Sequence, residues 1–170
     1  MVVLEDTRNK PGQHDNISEY FADHGIGLVR SKIVCGDYCS PPTISVDTKQ
    51  GLGEIYQDLI QDHDRFKREC ILAQSIGTKL IILIEMDEDG ITCVDDVWKW
   101  KNPRYDEWLR KYSFALAGQR KGKTYKAPKP PVSSDRLMRM METMTERYGV
   151  EWQFCRYEDT GQRLEEILHG

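Results

Sequence analysis

Apolar and polar positions recur along this chain with two periods, and the switches between them mark the elements. Residues 2–6, VVLED, are a short apolar run closing on two acids, which predicts a strand that delivers Asp6 at its end. The polar stretch TRNKPGQHDN reads as a loop. Over 16–25, Ile17, Tyr20 and Phe21 share one helical face, Asn16 stands at the capping position and Gly25 at the stop. Residues 26–34, IGLVRSKIV, predict a strand, and CGDYCSPPT (35–43) predicts a turn. In ISVDTK, 44–49, Ile44 and Val46 alternate with Ser45, Asp47 and Lys49, so one strand face is apolar and the other carries an acid and a lysine. On this spacing, 26–34 and 44–49 pair as a hairpin across the turn.

A helix is expected over 52–75, with Leu52, Ile55, Leu59, Phe66, Cys70 and Ala73 on one stripe. Glu54, Asp58 and Asp62 form a second row, four residues apart, of which Asp58 and Asp62 read as a solvated face. TKLIILIEM, 78–86, is the most apolar run and predicts a central strand buried on both sides. Residues 87–131 break the pattern; they read as an insertion or flap with two short helices and a basic loop. A helix over 134–149 capped by Ser133 or Ser134, a strand over 150–155 and a helix opening at Thr160 complete the order. Strands alternating with helices predict one α/β domain over 1–170, its core formed by 1–86 and 132–170.

Composition narrows the class. The chain has 170 residues, 39% apolar and 31% charged, enough for a sizeable core. No apolar run approaches the ~20 residues of a membrane helix. The start, MVVLEDTR, lacks a basic leader, so the chain is expected to stay inside the cell, in the cytoplasm, nucleoid-associated if bacterial or phage. Five cysteines with no Cys-x-x-Cys pair, and four scattered histidines, argue against a disulfide framework or a zinc ribbon. The net charge of −4 argues against a simple basic nucleic-acid coat. The charge is uneven, however. Residues 110–130 are basic with no acid, and 54–64 are acidic, which suits a polyanion at one place and a cation at another.

The candidate chemistry sits in 44–49. Residues two apart on a strand point the same way, ~6.6 Å apart. An acid at 47 binds a hard cation such as Mg²⁺, and a lysine at 49 positions or deprotonates a water, or offsets charge on a phosphate. The backbone oxygen of Thr48 lies between them as a further ligand, and Asp37 is the second acid if the turn folds back. An acid, about ten residues, then Asp-x-Lys is the pattern of a large class of metal-dependent nucleases. The bland reading of the same residues is a surface ion pair.

Neighbouring segments add to this. EDTRNKPG (5–12), GDY (36–38), VDTK (46–49), RFKREC (65–70) and LIILIE (80–85) occur in one order with suitable gaps. Together they resemble the nuclease domain of the XPF family of structure-specific endonucleases, closely over 2–86 and more weakly over 132–168. The resemblance implies a restriction-endonuclease-like core, a central mixed sheet flanked by helices with an inserted helical and basic flap. Residue by residue, it matches Asp6 to the family's first acid, Arg8 to its first arginine, Asp37 to the Gly-Asp acid, Asp47 to the glutamate and Lys49 to the lysine. Thr48 stands where the family has arginine, Asn9 where it has a glutamate, and Gly53 at a trailing aspartate for which Glu54 substitutes.

The activity so implied is Mg²⁺- or Mn²⁺-dependent hydrolysis of DNA phosphodiesters, on branched or flapped DNA in repair or recombination. Asp37, Asp47, Asp6 and Glu54 hold the metal together with the Thr48 backbone, and Lys49 assists. Arg8 touches a phosphate, and Arg120, Lys121, Lys123, Lys126 and Lys129 embrace the DNA backbone. Targeting comes from the flap, from the second subunit of a homodimer or from a DNA-binding partner. The rival expectation is a catalytically idle relative that binds DNA or a partner nuclease.

Overall fold

The computed structural model of the protein describes residues 1–40, 44–86, 90–121 and 126–169. Strands β1 (Val2–Asp6), β2 (Gly27–Ser31), β3 (Tyr38–Ser40), β4 (Ile44–Lys49), β5 (Lys79–Glu85) and β6 (Glu151–Cys155) form one mixed sheet in the order β2-β1-β3-β4-β5-β6. The β1–β2, β4–β5 and β5–β6 pairs are parallel. The β1–β3 and β3–β4 pairs are antiparallel. Helices α1 (Asp15–Asp23) and α6 (Thr160–His169) cover one face. On the other lie α2 (Leu52–Tyr56), α3 (His63–Ser75) and α5 (Ser134–Tyr148). Among the described residues no helix is long and apolar enough to cross a membrane.

The two cores follow from strand alternation. Val3, Tyr38, Val46, Ile81 and Leu83 meet Ile17, Phe21, Leu164 and Ile167 under α1 and α6. Leu80, Ile82 and Ile84 meet the stripe Leu52, Ile55, Leu59, Phe66, Cys70 and Ala73 expected from the helical period. β5 is buried on both sides from Leu80 to Ile84, as its composition requires. The α1–α6 contact is very close. A Cβ on Gly161 would lie 2.5 Å from Tyr20 Cβ and 2.6 Å from its Cγ. Gly161→Ala is therefore expected to cost about 2 kcal/mol in urea unfolding, by forcing the helices apart.

Three expectations are corrected. Residues 26–34 and 44–49 do not form a hairpin. β2 lies at the sheet edge beside β1, and the hairpin is formed by β4 with β3, a three-residue strand inside the expected turn. The rest of that turn, 41–43, lies outside the described residues. The helix expected over 52–75 is divided by a π-helical turn, Gln57–Gln61. Asn16 does not cap α1; it lies inside the helix and donates to the Tyr157 carbonyl at 2.9 Å.

Within 87–131, a 3₁₀ helix (Val94–Lys99) leads to α4 (Arg104–Arg120), a single longer helix in place of two short ones. Ile91, Val97 and Trp100 are buried in the same core as α5, so this end of the segment is anchored. Trp108 donates to the Pro128 carbonyl at 2.9 Å and stacks on Tyr112. Trp98 is exposed.

Candidate active site

The strand ends at one edge of the sheet bring the chemistry together. β3 is wedged between β1 and β4, so Asp37, just before it, is held by both neighbours. The Asp6 N–H donates to the Asp37 carbonyl at 2.8 Å, and the Asp37 N–H donates to the Val46 carbonyl at 2.8 Å. The chain reaches this position through Gly36, at φ +72°, where a Cβ would lie 2.6 Å from Ser45 Oγ and 2.8 Å from the Val46 oxygen. Beyond that point the ladder parts. Thr48 turns its N–H (3.0 Å) and its hydroxyl (2.8 Å) onto Asp37 Oδ2. The residue standing where the XPF pattern has arginine thus fixes Asp37 in place. The N–H and carbonyl of a strand residue leave on the same side, so the Thr48 carbonyl also points toward Asp37.

Asp47 and Lys49 share the β4 face that packs under α3. Lys49 Nζ lies 2.8 Å from Asp47 Oδ2 and 3.2 Å from Asp58 Oδ2. All three side chains are nearly buried, at 13% exposure for Lys49, 9% for Asp47 and 7% for Asp58. Burial pushes the Asp47 carboxyl well above the usual carboxylate range. Lys49 pulls it back, while Asp37 and Glu69 push it further. Burial also pulls the Lys49 ammonium down, but Asp47 and Asp58 outweigh it and hold its pKa above the ordinary lysine value.

Asp58 is a further correction to the sequence reading, which placed it on a solvated face. It is buried, and Arg65 closes over its other oxygen. Asp58 follows buried Ile55 by three residues and adjoins buried Leu59 at the start of the π-helical turn, and from there its carboxylate reaches Lys49. Lys49 keeps Asp47 when Asp58 is removed, and Arg65 is half exposed. Asp58→Ala is accordingly expected to cost about 1.5–3 kcal/mol in denaturant unfolding, the range for a hydrogen bond to a charged group.

The other candidates divide. Asp6 is buried with both oxygens engaged. Oδ1 accepts from the Arg8 N–H (2.7 Å) and Nε (2.8 Å), and Oδ2 from Arg8 NH2 (2.6 Å) and the Ile33 N–H (3.2 Å). The bonds to Arg8 hold the Asp6 carboxyl below its usual range against the opposing effect of burial. In this arrangement Asp6 orients Arg8, whose side chain is 61% exposed. Glu54 accepts from the Gln50 N–H at 3.0 Å at the start of α2.

An open hollow of about 480 Å³ collects Asp6, Arg8, Asp37, Asp47, Lys49 and Glu69 on its walls. It adjoins one of about 270 Å³ that shares Asp37, Asp47 and Lys49 and adds Thr48, Glu54 and Asp58. A separate hollow of about 300 Å³, lined by Leu4, Ile33, Val34 and Ile76 among others, is mainly apolar and contains none of the acids.

Lys121, Lys126 and Lys129 are exposed and line neither polar hollow. Lys123 and the side chain of Arg120 lie outside the described residues. The cationic rim comes from α3 instead, where Arg65 and Arg68 join Arg8. Arg65, Arg68 and Glu69 were not singled out in the sequence, although RFKREC places Arg65 and Glu69 four residues apart, on the flank of the buried pair Phe66 and Cys70. That polar face, abutting the Asp-x-Lys strand, was the available signal.

Among the described residues no three His, Cys, Asp or Glu side chains are grouped so as to enclose a metal ion. Mg²⁺ does not require such a cage. It is held by one or two carboxylates and completes its shell with water and substrate phosphate. Asp37 and Asp47 are hard oxygen donors on one wall of an open hollow, and the two bonds to Asp37 both fall on Oδ2, so this donor set fits Mg²⁺ or Mn²⁺.

No family model matches the sequence, and no curated protein does. Solved structures do match. XPF from Aeropyrum pernix aligns with a TM-score of 0.62 at 14% identity, over 99% of this chain and 64% of that one. The XPF–DNA complex from Aeropyrum pernix gives 0.61 at 15% identity, over 99% and 63%. The chain therefore spans just under two thirds of the length of these neighbours. Its fold, a mixed six-stranded sheet with flanking helices, is XPF-like.

Proposed function

We propose that this protein is a divalent-cation-dependent nuclease that hydrolyses DNA phosphodiesters at the Asp37–Asp47–Lys49 hollow. The observation that carries this reading is the convergence of those three side chains, from β4 and from the residue preceding β3, on one open polar cavity. Its likeness in fold to XPF, one of whose solved structures is a complex with DNA, supports DNA as the polymer.

In this reading Asp37 and Asp47 hold Mg²⁺ or Mn²⁺ with the Thr48 carbonyl beside them. When bound, the ion supplies an acidified water and offsets phosphate charge. Thr48 keeps Asp37 aimed by gripping one of its oxygens. Lys49 stays protonated between Asp47 and Asp58, so it acts as a fixed positive charge that orients water and offsets charge on the phosphate, in place of a base. Arg8, braced by Asp6, presents its guanidinium to an adjacent phosphate.

The test is a cleavage assay on labelled linear, flapped and branched DNA with Mg²⁺ or Mn²⁺. Cleavage with either ion, and none in EDTA, is expected. Cleavage that persists in EDTA, or no cleavage of any DNA or RNA with either ion, would overturn the reading.

A further inference from the structure

Glu69 lies on α3, one residue before buried Cys70, and borders the hollow that holds Asp37 and Asp47. Its Oε1 accepts a hydrogen bond from the Gly36 N–H at 3.0 Å. That donor has no other claim on it. The β3–β4 ladder ends with the Asp37 N–H on Val46, and Thr48 has turned away to the Asp37 carboxylate. The peptide before Asp37 would otherwise be the loose end of the sheet, with a glycine at its centre to give it freedom.

We propose that Glu69 is the positioning residue for Asp37. Phe66, Cys70 and Ala73 seat α3 in the core, and the Glu69 carboxylate ties that helix to the Gly36–Asp37 peptide. Asp37 is thus fixed from both ends. Thr48 holds its carboxylate, and Glu69, Val46 and the Asp6 N–H hold its backbone. This inference rests on the proposed metal-dependent function, because the purpose of the tether is to aim one cation-binding carboxylate at the other. A charged acceptor makes the stronger bond, but the role itself requires only an acceptor, which a glutamine also provides.

The experiment compares wild type, Glu69→Ala and Glu69→Gln by Mn²⁺ titration calorimetry without DNA, by DNA cleavage, and by amide hydrogen exchange at Gly36. Loss of an outer-shell partner typically lowers metal affinity or activity by about 10–100-fold. Glu69→Ala is expected to weaken Mn²⁺ binding by at least about tenfold and to speed Gly36 exchange. Glu69→Gln is expected to restore both to within about threefold of wild type, since it keeps the acceptor. If Glu69→Gln is as damaging as Glu69→Ala, charge and not the tether is what matters, and the positioning role is overturned. If Glu69→Ala binds Mn²⁺ as wild type does, the role is likewise overturned, with the nuclease reading intact. Wild-type protein that takes up no Mn²⁺ overturns the nuclease reading, and this inference with it.

Discussion

Asp47→Asn is expected to reduce cleavage by about 10³-fold or more, while unfolding at nearly the wild-type temperature. The loss follows from the size of what the carboxylate supports. A bound divalent ion contributes several kcal/mol of transition-state stabilisation, and each ~1.4 kcal/mol is a factor of ten in rate. The retained stability follows from the position of Asp47. Its carboxylate is buried beside Asp37 and Glu69, an arrangement unfavourable to its charge that only Lys49 offsets. Asparagine relieves that burden and is nearly isosteric. Removing one partner of a buried pair usually costs several kcal/mol because a charge is stranded, but Lys49 would keep Asp58 at 3.2 Å. A stability change below about 1 kcal/mol, a shift in Tm of no more than roughly 4 °C, is expected. Thermal unfolding and single-turnover cleavage on the same preparation check both parts. A residue whose removal silences the enzyme without loosening the fold serves chemistry.

Gly36→Ala is expected to lower both stability and activity. The site demands a positive φ, which costs an L-residue about 1–2 kcal/mol. The added methyl would also press on the Val46 carbonyl at 2.8 Å. That carbonyl is fixed because it accepts the Asp37 N–H. Ser45 Oγ, the nearer atom, is itself bonded to the Cys35 carbonyl. Strain and overpacking together come to about 3 kcal/mol, or a fall in Tm of roughly 10 °C. The peptide that yields is the one leading into Asp37, so cleavage is expected to fall about 10²-fold, the effect of a misplacement of ~1 Å at a reacting centre. Circular-dichroism melting and a cleavage assay well below the new Tm separate the two losses.

The two predictions also mark what was legible in the sequence and what was not. β1, β4 and β5 were readable because their patterns are local. Two of them end in acids, one alternates Ile44 and Val46 with Ser45, Asp47 and Lys49, and one is a continuous run of Leu and Ile. The stripe from Leu52 to Ala73 was readable for the same reason, and it kept its buried face across a break in the helix. β3 was not readable. Three residues inside a turn-like composition become a strand only because β1 and β4 offer bonding partners on both sides, which is a property of the sheet. Once β3 takes the place beside β4, β2 is left to the outer edge of β1, so the expected hairpin fails. Asp58 was misread for a related reason. A four-residue repeat of acids reads as a solvated face, but Asp58 lies beside the buried stripe, next to Leu59 and three residues after Ile55, and pairs with Lys49 on β4. Asp37, Asp47 and Lys49 were identified as a set from motif order and spacing. Their companions Asp58, Arg65 and Glu69 were missed because their part depends on which helix face lies over β4.

The most direct test of the account is a crystal of the wild-type protein soaked in Mn²⁺ and measured for anomalous scattering. One strong peak is expected in the hollow, with an oxygen of Asp37 and an oxygen of Asp47 each at roughly 2.1 Å from it. No peak there, or an ion bound elsewhere while Asp47 remains paired to Lys49 alone, would contradict it.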